Sequence, residues 1–114
     1  SPASALLEVL VHLELNDFEY LPSSYRLLKI EVPDEVAVVE IDERNLDANW
    51  CKQSEMTRAI GDEWLRDLSS ALLAVPSAIV PHTKNYLLNP AHRDAKQIKV
   101  KSHGSYPFDF RLFR

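Results

Sequence analysis

Cysteine is almost absent from this chain. Cys51 is the only one, which rules out an internal disulfide and any cysteine-based zinc site and fits a reducing, cytoplasmic compartment. Glycine is as scarce: Gly61 and Gly104 stand far apart, so there is neither a phosphate-binding Walker loop nor a glycine-rich dinucleotide turn. Long apolar runs are missing too. Stretches such as Ala71 to Val75 are far too short to span a bilayer, and no basic start followed by an apolar segment reads as a signal peptide. What remains is ordinary globular composition, with 46% hydrophobic and 26% charged residues among 114, enough for one domain with a modest core. Residue 1 is Ser and the only methionine is Met56, so the expectation is a chain that has been cut or processed.

Charge is unevenly spread. Residues 1–83 carry a net −9 and residues 84–114 a net +5. The basic end, with Arg93, Lys96, Lys99, Lys101, Arg111 and Arg114, would attract a phosphate-bearing ligand or an acidic partner. Equally, the two parts can pack and neutralise each other. The acidic balance overall and the lack of interleaved aromatic and basic residues speak against direct nucleic-acid binding.

Ser1-Pro2 opens a helix, Ser as cap and Pro at the first turn, and Ala3 to Leu15 continues it until Asn16-Asp17 ends it. Tyr25 to Val32 alternates as a strand, Pro33-Asp34 turns, and Val36 to Ile41 reads as a second strand. After the polar connection from Asp42 to Asn49, Ser54 caps a second helix to about Leu68, with Met56, Ile60 and Trp64 on one face. Ala71 to Val80 is β-like, with Pro76 confining it to an edge or a bulge. Tyr86 to Leu88, Ile98 to Ser102 and Phe108 to Phe113 complete the strands, and Asn89-Pro90 opens a short helix. The class is α+β.

The first helix is apolar nearly all round, through Ala5, Leu6, Leu7, Val9, Leu10, Val11 and Leu13, the pattern of a buried helix. Ser4, Glu8 and His12 interrupt it at intervals of four and form one polar stripe. A carboxylate in such surroundings is costly unless it faces partners, water or a ligand. The stripe is therefore either a wall of a polar cavity centred on Glu8 or the solvent edge of a partly buried helix. Ser77 is a second polar spot, the one hydroxyl in Val75-Pro76-Ser77-Ala78-Ile79-Val80-Pro81. It either points into a pocket or satisfies local backbone. A hydrolase triad of Ser77, His12 and Glu8 lacks the glycine-flanked nucleophile elbow. His12, His82, His92 and His103 show no paired metal-ligand spacing.

Five strings in order carry a resemblance. They are Ala5-Leu6-Leu7-Glu8-Val9-Leu10-Val11-His12-Leu13, Thr57-Arg58-Ala59-Ile60-Gly61-Asp62-Glu63-Trp64-Leu65, the Val75–Pro81 segment, Asn85-Tyr86-Leu87-Leu88-Asn89-Pro90-Ala91-His92, and Phe108-Asp109-Phe110-Arg111-Leu112-Phe113. Together they resemble the RES-domain family, toxins of bacterial toxin–antitoxin systems. The resemblance implies an α+β fold similar to ADP-ribosylating toxins, with mixed and antiparallel strands around a long buried helix. Residues 1–114 would be one RES domain lacking its N-terminal strands.

The family is named for an Arg, a Glu and a Ser; the Glu matches Glu8 and the Ser Ser77. The Arg, in a Gly-Arg-Trp-Asn-like segment, and a following tyrosine lie upstream of the matching helix and are not in this sequence. The resemblance further implies NAD⁺ as substrate without a metal, and cleavage of the nicotinamide–ribose bond. ADP-ribose would then pass to phosphate, to water or to a protein. Glu8 and Ser77 would be catalytic and would contact NAD⁺, with Asn85 and His12 as further pocket residues. The implied partner is an antitoxin carrying a helix-turn-helix-like region, with no membrane involved. The rival reading is a catalytically dead fragment that still binds the antitoxin.

Overall fold

In the computed structural model, residues 1–13 and 22–113 are described. They form two compact units, residues 1–31 with 100–114, and residues 32–99.

The first unit opens with α1 (Pro2–His12). Ser1 caps it as expected: its hydroxyl accepts from the Ser4 amide at 3.2 Å, and Pro2 occupies the first turn, where its missing N–H costs nothing. The helix ends at His12, with Leu13 already extended, short of the expected Leu15, and Asn16-Asp17 lie outside the described residues. Two strands, β1 (Ser24–Glu31) and β5 (Lys99–Pro107), are hydrogen-bonded to each other. The rings of Tyr25, Tyr106 and Phe108 gather on one side of this ribbon, with centroids 5.9 Å and 5.0 Å from Tyr25, and Phe113 meets Phe108 edge-on at 5.8 Å.

The expected deep burial of the first helix is not observed. No residue of α1 is buried, and Leu7, Val9 and Val11 stay 41%, 50% and 58% exposed. Among the described residues of this unit, one helix and a two-stranded ribbon offer too little surface to surround an all-apolar cylinder. A second correction falls at the end of the chain. Phe108 to Phe113 does not extend as a strand; Phe110–Phe113 is a 3₁₀ turn, started by Asp109, whose carboxylate accepts from the Arg111 amide at 2.9 Å. Local side-chain bonding of this kind competes with strand pairing.

The second unit is a β-α-β crossover extended by a hairpin. β2 (Val38–Glu40) lies parallel to β3 (Leu72–Pro76), with α2 (Ser54–Asp67) between them in sequence, and β4 (Lys84–Leu88) runs antiparallel to β3. The order is β2-β3-β4. The core is built on β3 and its flanks, from Ala71, Leu72, Leu73 and Ala74 with Val36, Trp50 and Trp64. Polar groups that enter it are satisfied. Trp64 Nε1 donates to Ser70 Oγ at 2.9 Å, Ser70 donates to the Leu72 carbonyl at 2.7 Å, and Asn89 Nδ2 donates to the Leu65 carbonyl at 3.2 Å.

Pro76 ends the central strand rather than marking an edge strand. β2 stops at the Glu40–Ala74 pair, the Ala74 carbonyl takes the Ile41 amide at 2.9 Å, and position 76 faces the same side just past that end. Ser54 is the first residue of α2 and not its cap, which is Gln53 without a side-chain bond. Among the described residues no helix is long and apolar enough to cross a membrane. Basic residues of the late segment find acidic ones within each unit, Lys84 with Glu40 and Lys101 with Glu31 at 3.8 Å, so part of the charge asymmetry is neutralised by pairing.

Candidate functional site

The polar stripe on α1 exists as spacing predicted, and each member has a different environment. Ser4 Oγ is 2.9 Å from Ser1 Oγ and so belongs to the helix cap. Glu8 is half-buried at mid-helix. One turn on, the exposed His12 places Nδ1 2.7 Å from the Glu8 backbone carbonyl. A carbonyl only accepts, so Nδ1 carries the proton and Nε2 is the nitrogen with a lone pair in the neutral ring. The other residues expected at the site, Ser77 and Asn85, belong to the second unit. Asn85 is half-buried on β4, opposite Val75.

Ser77 begins the loop that joins β3 to β4. Its amide donates to the Thr83 carbonyl at 2.8 Å, closing a seven-residue loop, and its Oγ accepts from the amides of Ile79 at 3.2 Å and Val80 at 3.1 Å. Both acceptor positions of the hydroxyl are thereby used by backbone. An oxygen whose lone pairs are engaged in this way is a poor nucleophile, so the arrangement disfavours a hydrolase nucleophile. We expect Ser77→Ala to raise hydrogen exchange at the Ile79 and Val80 amides by about fivefold, the loss of one net hydrogen bond of ~1 kcal/mol. Unchanged exchange at both amides would show that the hydroxyl does not hold the loop.

A cleft of about 350 Å³ adjoins this loop, and Ser77, His82 and Lys84 line it together with Glu40, Asp42 and Glu43. His82 takes a left-handed backbone with φ 60°, a conformation that costs a non-glycine residue energy and is held here by the closed loop. Lys84 Nζ is ion-paired with Glu40 Oε1. Asp42 is held by a two-pronged bond from Arg44, with Nε at 3.1 Å and an Nη at 2.6 Å, and its Oδ1 also accepts the Arg44 amide at 2.9 Å. The Arg44 guanidinium and amide push the Asp42 carboxyl down to about 2. Because the folded value lies below the ordinary 3.8, this contact supports the fold above that pH and is lost as pH falls through about 2. An NMR titration should therefore place the Asp42 midpoint near 2 and return it towards the ordinary value in Arg44→Ala. A midpoint unmoved by that substitution would mean that Arg44 is not the cause.

Glu40, Asp42, Glu43, His82 and Lys84 were not among the residues singled out from the sequence. Only the Asp42-x-Arg44 pair had a local signal. The Glu40–Lys84 pair depends on strand register, Glu40 opposite Ala74 on one side of β3 and Lys84 opposite Pro76 on the other.

Comparison with known proteins agrees with this arrangement of strings and elements. The RES domain family model matches residues 1–109. The chain is 48% identical over 113 residues to the protein Toxin Res of Pseudomonas putida, covering 99% of this chain and 75% of that protein. It is 41% identical over 118 residues to the Prs ADP-ribosylating toxin of a Sphingobium species, with 100% and 71% covered. Toxin Res of Photorhabdus laumondii is 38% identical over 116 residues, with 100% and 72% covered. With the α+β elements in the expected order and the family model spanning nearly every residue, the chain belongs to the RES-domain toxin family.

Proposed function

We propose that this toxin cleaves the nicotinamide–ribose bond of NAD⁺ and passes ADP-ribose to phosphate, depleting the dinucleotide. The observation that supports the ADP-ribose chemistry is the 41% identity, across the whole chain, to a toxin named for ADP-ribosylation, while phosphate as the acceptor rests on the family resemblance. That name also supports a second reading of the same chemistry, in which the acceptor is a host protein. Both need NAD⁺ as substrate and neither needs a metal.

The residues fit such a reaction. As nicotinamide leaves, the ribose becomes oxocarbenium-like and positive, as in glycoside cleavage. Glu8 is the carboxylate assigned to the ribose hydroxyls and to that developing charge, where a fixed anion is worth most. Ser77, whose oxygen accepts from the Ile79 and Val80 amides, is assigned to the nicotinamide end, and Asn85 adds an amide contact. His12, one turn along the helix from Glu8, is assigned to the same pocket. In the family's pattern an Arg holds the pyrophosphate, a task for which a planar guanidinium is suited. In the cell the reading places the toxin in the cytoplasm, with a helix-turn-helix-bearing antitoxin as its partner.

The test is nicotinamide release from NAD⁺ by the full-length protein, with phosphate present and absent. Phosphate-dependent release with a phosphorylated ADP-ribose product is the expected result. Release that requires a protein acceptor would move the second reading forward, and a folded protein that releases nothing with either would defeat both.

A further inference from the structure

We infer that His12 is the base that takes the proton from a hydroxyl acceptor during transfer. The inference rests on the NAD⁺ reading of Glu8. It starts from the 2.7 Å bond between His12 Nδ1 and the Glu8 carbonyl. That bond fixes the tautomer and the ring together. The proton sits on Nδ1, and Nε2 carries the lone pair on the far side of the ring. The anchor is the backbone of the catalytic carboxylate's own residue, so the imidazole is held relative to Glu8 and not to a distant element. Positions four apart on a helix put their Cβ atoms within roughly 5–6 Å, close enough for both side chains to serve one reacting centre.

The charged surroundings are consistent with this role. Elsewhere in the unit Arg26 donates to His103 Nδ1 at 3.5 Å, Lys101 meets Glu31 at 3.8 Å, and Arg111 meets Asp109 at 2.6 Å. The charged group one turn from His12 on its own stripe is Glu8. His12 itself is exposed, so an acceptor arriving from solvent can reach it.

The step balances without any further reagent. The C1–N bond to nicotinamide breaks with its electron pair going to the ring nitrogen, which becomes neutral. An acceptor oxygen lone pair forms the new bond to C1, and the acceptor's O–H proton passes to His12 Nε2, later to be lost to water. A phosphate dianion attacks through an oxygen that is already deprotonated, so no proton has to be removed from it. Water and hydroxyl groups have a proton to lose. His12 is therefore the residue that lets the site use hydroxyl acceptors.

The test uses the full-length protein with two probes, inorganic phosphate and methanol in phosphate-free buffer. Nicotinamide release and the products are measured for wild type and His12→Asn. Asn can still donate an N–H to the Glu8 carbonyl, which preserves the structural contact, but it has no basic nitrogen. We expect methanolysis to fall by about 10²-fold, a usual contribution of a general base. The partition between phosphate and methanol should move at least about tenfold towards phosphate. The rising limb of the pH–rate profile for methanolysis should also vanish in the variant. An unchanged partition with an unchanged profile would overturn the inference while leaving the NAD⁺ reading standing, because His12 would then only hold the helix end. Wild-type protein that releases no nicotinamide with either probe would defeat the NAD⁺ reading itself, and this inference with it.

Discussion

Glu8→Gln is expected to lower nicotinamide release from NAD⁺ by about 10²–10³-fold, the cost of removing one preorganised electrostatic contact to a charge that exists only in the transition state. Glutamine keeps the shape and one acceptor oxygen, so contacts to the ribose hydroxyls survive. What it lacks is the negative charge facing the oxocarbenium-like carbon. The loss should therefore appear in kcat, with KM little changed. The fold should not suffer, because Glu8 is half-buried, no residue of α1 is buried, and the two residues have similar helix propensity. Steady-state kinetics beside a thermal melt decides the matter. A variant with the wild-type melting temperature and more than a third of the wild-type kcat would remove Glu8 from the catalytic role. Ser77→Ala serves as the graded comparison. It removes one neutral donor and disturbs the loop held by the Ile79 and Val80 amides, so a smaller loss, about tenfold, is expected.

The contrast between those two residues shows what could be read from the chain before any coordinates. Glu8 stood out because a carboxylate inside an apolar helical run is costly unless it faces water, a partner or a ligand, and the solvent edge of a partly buried helix was the open alternative. Ser77 stood out as a lone hydroxyl between prolines, and there the local explanation proved to be part of the truth, since backbone amides use its oxygen. Features set by neighbours in sequence were legible: the Ser1 cap, the turn in which the Val36 amide returns to the Pro33 carbonyl at 3.0 Å, and the Met56–Ile60–Trp64 face of α2. Features set by distant segments were not. The burial of α1 depends on how much other structure its unit supplies, and an apolar helix carries no information about that. The cleft beside Ser77 requires Glu40 and Lys84, 44 residues apart, to be brought level across β3. The 3₁₀ turn at Phe110–Phe113 was hidden because alternating Phe and Leu fit a strand equally well. Asp109, whose side chain redirects the backbone, looked like one more outward polar residue.

Leu73→Ala should cost about 3–5 kcal/mol of stability, the range for deleting a leucine side chain from a site that cannot collapse. Leu73 is fully buried at the centre of β3, paired with Val39 on one side and Leu87 on the other. Its neighbours along the strand, Leu72 and Ala74, are also buried, so there is little mobile surface to fill the gap. Against a typical domain stability of about 5–15 kcal/mol, the loss is a large fraction of what holds the second unit folded. Leu87→Ala makes the matched comparison. It removes the same atoms one strand away, where the side chain is 44% exposed, and should cost under about 1.5 kcal/mol because much of that surface already meets water. Urea unfolding should show the midpoint falling sharply for Leu73→Ala with an unchanged slope, and only slightly for Leu87→Ala. Equal shifts for the two would mean that β3 is not the centre of the core. That result would also bear on function, because the loop carrying Ser77 starts where β3 ends at Pro76, and its position relative to Lys84 and Glu40 is only as firm as the strand behind it.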